Sequence, residues 1–198
     1  MRITSRSAAL TLALVLSAAA WRQQTDHLTL QSQSKVWIEG VSTIRSFSCS
    51  APTVNAYIET RSANAIPQVL AGEHGVTLTE IKVPVDKIEC SNGTMNDHLR
   101  EALKSHFNPT ITFRVTSYDV SKGAEGVKGT LTGSLSIAGV VKPVSIAAVG
   151  TADGEMLRVT GSKEIKMTDW DVIPPALMFG RIKVRDDVTV KFDLLLKN

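Results

Sequence analysis

Four histidines, two cysteines and a late group of aspartates are the residues of this 198-residue chain whose chemistry could go beyond packing. His27, His74, His98 and His106 could act as acid–base groups or metal ligands. None stands in a G-x-S-x-G turn, an H-E-x-x-H helix or a Gly-rich phosphate loop, so hydrolase, zinc-protease and nucleotide chemistries have no support. His98 and His106 are eight residues apart on an expected helix. That spacing turns them about 80° from each other rather than onto one face, and exposed or capping histidines are the simpler reading. Asp169, Asp171, Asp186 and Asp187 could be paired as in a glycosidase, but carboxylates near strand ends are more often solvated turn formers. Asn92-Gly93-Thr94 reads equally as a glycosylation acceptor or a turn. The chain is expected to have no catalytic residues, no cofactor and no metal.

The cysteines depend on where the chain resides. Residues 1–20 read as a secretory signal peptide: Arg2 and Arg6 make a basic start, Ala8 to Leu16 an apolar run, and Ser17-Ala18-Ala19-Ala20 a small-residue cleavage region. The run is about half the roughly 20 residues a spanning helix needs. The expected product is soluble and periplasmic or secreted, with no stable membrane insertion. In an oxidising compartment an even cysteine count points to a bridge between Cys49 and Cys90. Two buried, unpaired thiols are the alternative, and a metal pair lacks a Cys-x-x-Cys or a suitably spaced His.

Without the leader, 20 basic residues face 19 acidic ones, a formal charge of +1. That balance carries no basic stripe of the kind nucleic-acid binding needs. The remaining 178 or so residues suit one domain.

The elements that position these residues are strands. Ile111, Phe113 and Val115 alternate with polar neighbours, as do Val188, Val190, Phe192, Leu194 and Leu196, so each run has one buried and one wet face. Similar runs cover Val36 to Ile38, Val76 to Val85, Leu131 to Ile137, Val144 to Val149 and Leu157 to Met167, with Ala56 to Glu59 a weaker one. A parity switch after Leu78 suggests a β-bulge near Glu80. Turn signals at Lys122-Gly123 with Glu125-Gly126, at Ala138-Gly139 and at Ala152-Asp153-Gly154 imply antiparallel neighbours. Thr94 to Phe107 breaks the pattern: Met95, Leu99, Leu103 and Phe107 recur every four residues, with Thr94 a candidate N-cap, and Asn108-Pro109 stops the helix. The fold expected is all-β, eight antiparallel strands with one short helix; closure into a barrel removes sheet edges and leaves an interior that side chains fill or that holds a small ligand.

Several segments resemble one known family. Ser34-Lys35-Val36-Trp37-Ile38-Glu39-Gly40, Asn96-Asp97-His98-Leu99-Arg100 and Asn108-Pro109-Thr110-Ile111-Thr112-Phe113 are similar to a first strand, a D-x-H-L-R helix start and a P-x-x-x-F strand of YceI-like domains. Gly133 to Val144 resembles their G-x-L-T-(I/L)-x-G-V-x-K-P-V hairpin, with Ser136 at the Thr position. The resemblance runs from about Ser34 to Leu196. It implies an extended, lipocalin-like barrel over residues 34–198, after a linker at residues 21–33, and an isoprenoid or isoprenoid-quinone-like molecule in the interior of some members. Met95 and Asn96 depart from the family's Arg and Asp, and Asp169-Trp170-Asp171-Val172 departs from its Asp-Phe-Gly-(I/V).

Burial of a lipid tail is worth about 0.8 kcal/mol per methylene, enough for binding without chemistry on the carbon skeleton. The inward candidates are Val36 and Ile38; Ile111, Phe113 and Val115; Leu131, Leu135 and Ile137; Val144 and Ile146; Leu157 and Val159; and Val190, Phe192 and Leu194. The alternative is that they simply fill a core. Small residues at Gly133, Ala138, Ala147, Ala148 and Gly161 could leave a tunnel open. The partner expected is a polyisoprenoid or other apolar lipid, with no nucleic acid and a homodimer left open. Two other readings compete: a stress-related or structural envelope protein with a packed barrel that meets a protein partner through loops such as Pro174 to Phe179, and an enzyme using His98 or Arg100 on a bound lipid.

Overall fold

A computed structural model describes residues 26–90, 92–177 and 179–198. The expected signal peptide, residues 1–20, lies outside the described residues. Eleven strands and two helices follow in order: β1 (Asp26–Leu30), β2 (Lys35–Ser42), β3 (Ser46–Ala51), β4 (Asn55–Thr60), α1 (Ala65–Leu70), β5 (Val76–Pro84), α2 (Gly93–Ala102), β6 (Thr110–Gly123), β7 (Gly126–Ile137), β8 (Val140–Asp153), β9 (Met156–Lys166), β10 (Ala176–Leu177) and β11 (Ile182–Lys197).

Ten of the eleven strands make eight staves. β1 and β2 lie end to end along one edge of β11, through Leu30↔Leu196 and then Lys35↔Asp193. β3 and β4 continue one another in the same way, β3 on β2 and β4 on β1. From β4 the ladder passes through β5, β6, β7, β8 and β9 to β11, each neighbour antiparallel, and β11 returns to β1 and β2. The result is a closed eight-stave antiparallel barrel. The short β10 sits outside this circuit, hairpinned onto the start of β11.

Tight turns set the register. Ala138 and Gly139, with φ of 49° and 87°, join β7 to β8 with both central residues left-handed, as a type I′ turn requires. A Cβ on Gly139 would also meet Asn108 Oδ1 at 2.9 Å. A bulge interrupts β5, where Glu59 pairs with Leu78 but Thr60 with Val76, so Thr77 is the extra residue. It lies three residues before the expected position near Glu80, and it turns Leu78 outward while Val76, Ile81 and Val83 face in.

Several expectations are corrected. Residues 26–30 of the stretch read as linker form β1; DHLTL offers only two apolar side chains, too few for periodicity to stand out. The helix is joined by a second, α1, whose six residues include Pro67 in the first turn, where its missing N–H costs little. Asn92 rather than Thr94 caps α2, its Oδ1 accepting from Met95 N at 2.9 Å. The helix ends at Ala102, and Phe107 is 81% exposed.

Two apolar clusters fill the ends of the barrel. Ala65, Ile66 and Val69 of α1 pack with Leu28, Ile58, Val127, Leu157 and Leu196 at one end. At the other, α2 and the turn at Met167–Trp170 pack with strand residues including Phe113, Ile137, Val144 and Ile146. On the outer face Glu80 stands directly opposite Arg114, with contacts of 2.9 Å to that residue and 3.1 Å to Lys82. Lys82 first, and then Arg114, hold the Glu80 carboxyl below its ordinary value of 4.5. A carboxylate so lowered contributes stability above its unfolded value and loses it as pH falls through the folded one. The melting temperature of Glu80→Gln should therefore fall less than that of the natural chain on acidification below about pH 4.5, read by thermal melts at stepped pH.

Candidate functional site

The barrel interior holds an apolar cavity of about 380 Å³. It extends from Val69 of α1 to Trp170, Val172 and Pro175 at the opposite end. Inward positions follow from ladder register: residues directly opposite share a face, so Ile38, Val190 and Lys163 form one tier across β2, β11 and β9. Fourteen of the fifteen sequence-predicted inward residues line this one cavity: Val36, Ile38, Ile111, Phe113, Val115, Leu131, Leu135, Ile137, Ile146, Leu157, Val159, Val190, Phe192 and Leu194. Val144 does not. It is buried in the cluster containing Trp170 and Val172, because β8 and β9 part beyond Ala148↔Gly161 and the Met167–Trp170 turn packs against both strands there.

The small residues divide. Ala148 faces the cavity, as do Gly129 and Gly150. Gly161 leaves no space, since the Phe192 ring occupies it, and at Gly133 the Arg114 backbone is in the way. Ala147 is exposed and Ala138 lies in a turn.

Sequence reasoning missed much of one end wall. Met95, Leu99 and Leu103 of α2 line the cavity; their four-residue spacing was legible, but the face they turn to the barrel was not. Trp170 and Val172 were read only as departures from a family pattern, yet both are buried cavity walls. Phe47, whose ring covers Gly40, belongs to β3, where SFSCSA alternates too weakly to announce a strand.

A disulfide and a set of hydrogen bonds fix that end wall. A disulfide joins Cys49 of β3 to Cys90 ahead of α2, across 41 residues. Beside it Cys90 N donates to Asn96 Oδ1 at 2.7 Å, so the Asn at the family's Asp position still supplies an acceptor oxygen. Arg100 pairs with Asp97 at 3.3 Å and donates to the Asp86 carbonyl at 3.2 Å. Across the mouth, Trp170 Nε1 donates to the Leu135 carbonyl at 3.1 Å. Asp186 accepts from Thr168 N at 2.8 Å and Oγ1 at 2.6 Å, tying the turn to β11. The Thr168 hydroxyl first, then its backbone N–H, keeps the Asp186 carboxyl below the usual range.

The residues that might have done chemistry are dispersed. His106 stacks edge-on with Phe107, and His74 packs against Tyr118 at the far end. His98 lines the cavity from α2. Asp187 faces Lys166 at 3.8 Å on the outer wall. Among the described residues no group of three or more His, Cys, Asp or Glu is placed to hold a metal, and no helix is long and apolar enough to cross a membrane.

A closed eight-stave barrel around an apolar chamber, plugged by a helix at each end, defines a lipocalin-like cavity barrel. Within that class the chain belongs to the YceI-like family: the YceI-like domain profile matches residues 21–196. BcnA of Burkholderia cenocepacia shares the fold at 18% identity with a TM-score of 0.66, over 84% of this chain and 99% of that one. A polyisoprenoid binding domain from Saccharophagus degradans, described as implicated in plant cell wall breakdown, shares it at 12% identity and 0.60, over 86% and 97%. The Campylobacter jejuni YCEI protein does so at 18% identity and 0.57, over 74% and 82%. No curated protein sequence matches the chain.

Proposed function

We propose that this chain is an exported binding protein, periplasmic or secreted, that holds an isoprenoid, quinone-like or similar amphiphilic lipid inside its barrel and performs no chemistry on it. The observation that carries the reading is the apolar cavity of about 380 Å³, within the roughly 300–1,000 Å³ usual for small-molecule sites. The polyisoprenoid-binding description of the Saccharophagus degradans domain supports the ligand class. The paired cysteines suit an oxidising compartment.

Delipidated protein should take up farnesol or a short-chain ubiquinone at one molecule per barrel, followed by native mass spectrometry. A barrel that takes up neither would overturn the proposal.

The loop-binding alternative keeps one observation in its favour. Ile44, Ile173 and Phe179 are 65%, 81% and 110% exposed, and Ile44 and Phe179 sit in neighbouring hairpins joined by Thr43 N donating to the Lys183 carbonyl. An exposed apolar patch of this kind marks an interaction surface. On that reading, Ile44→Ser/Phe179→Ser should abolish capture of a protein partner and leave lipid uptake unchanged, compared by pull-down and native mass spectrometry.

A further inference from the structure

The cavity wall carries a cation that packing does not explain. Lys163 of β9 stands opposite Val190, and Val190 opposite Ile38, so its side chain starts on the inner face of the barrel. Its neighbours on that face of β9 are Gly161 and Ile165. It is half-buried and lines the cavity, and its side chain forms no ion pair or hydrogen bond with another described residue. The other charged residue of the lining, Asp119, is exposed on β6 and paired with Thr130, well towards the α1 end. Every other lysine or arginine of β9 has an evident outward role: Arg158 pairs with Asp193 at 3.1 Å and Lys166 with Asp187 at 3.8 Å.

A period-two strand facing an apolar interior calls for an apolar residue at this position. An ammonium held partly out of water without a partner is costly, and a ligand anion removes that cost by supplying a charge-assisted contact. The site also lies where a headgroup can be accommodated. The β8–β9 ladder stops at Ala148↔Gly161, two residues before Lys163, so the wall here is not continuous backbone pairing.

We propose that Lys163 anchors the headgroup of an anionic amphiphile, a phosphate monoester or carboxylate at the end of an apolar tail, with the tail running along the chamber towards α1. This rests on the lipid-carrier reading and narrows its ligand class. A neutral isoprenoid alcohol fills the same chamber but leaves the ammonium unmatched.

The test compares farnesyl phosphate, palmitate and farnesol on the whole exported protein, by displacement of a fluorescent apolar probe. Both anions should bind roughly tenfold to a hundredfold more tightly than farnesol. Lys163→Met should erase that preference while keeping farnesol affinity, which also shows that the barrel has folded. Lys163→Arg should retain the preference, and the difference between phosphate and carboxylate identifies the preferred head. Equal binding of the three by the natural chain, or a preference that survives in Lys163→Met, overturns the anchor and leaves the carrier reading standing. Failure to bind any of the three overturns both.

Discussion

Replacing Val115 and Ile146 together by Trp should narrow the chamber without unfolding the barrel. Both side chains line the cavity of about 380 Å³, from β6 and β8, so that an indole can extend into it. Overfilling a tight core costs about 1–3 kcal/mol, whereas growth into a void costs less and can gain apolar contact. A ligand tail faces the opposite balance. Two indoles that displace three or more methylenes remove about 2.4 kcal/mol of burial, a loss of roughly fiftyfold in affinity. Titration with farnesol beside a thermal melt separates the effects: affinity weakened roughly fiftyfold with a nearly unchanged melting temperature is expected, and undiminished affinity would mean that the ligand lies elsewhere.

Breaking the Cys49–Cys90 bridge should lower the stability of the barrel substantially. The bond closes a loop across 41 residues, and chain entropy sets its contribution at about 4 kcal/mol. For a domain of this size that corresponds to a fall in melting temperature of roughly 8–16 °C, in Cys49→Ala/Cys90→Ala or in the natural chain with reductant. The effect should reach the cavity as well. Cys90 leads directly into α2, whose Met95, Leu99 and Leu103 form the end wall, and the Asn96 bond to Cys90 N holds the helix start to the bridge. Ligand off-rates should rise in the bridge-free protein even below its melting transition. A melting temperature that does not respond to reductant would contradict this account.

The repeating elements were legible because a barrel stave must show one face to the interior. Eight alternating runs mapped onto eight staves, and fourteen inward residues proved to share one chamber, since period-two parity survives closure wherever no bulge intervenes. What escaped notice was local. DHLTL and SFSCSA are half-staves, too short or too small in side chain to stand out, although they share staves with β2 and β4 respectively. The bulge at Thr77 shows in the sequence as a parity switch three residues later, because Leu78 is apolar and nonetheless exposed. Val144 has the inward parity and burial of its strand, yet it lies beyond the point where β8 and β9 part; no single-strand pattern encodes where a ladder ends. Lys163 is the reverse case. Parity places it inside, although its charge suits an outer surface.

Occupation of the chamber by an amphiphile is open to direct measurement. Purification from the native host under mild, detergent-free conditions, then organic extraction and mass spectrometry, tests it most directly. One isoprenoid-like or other long-chain amphiphile per barrel is expected, depleted in the Val115→Trp/Ile146→Trp protein prepared in the same way. A preparation that yields no bound lipid and also takes up none when offered farnesol or ubiquinone would contradict it.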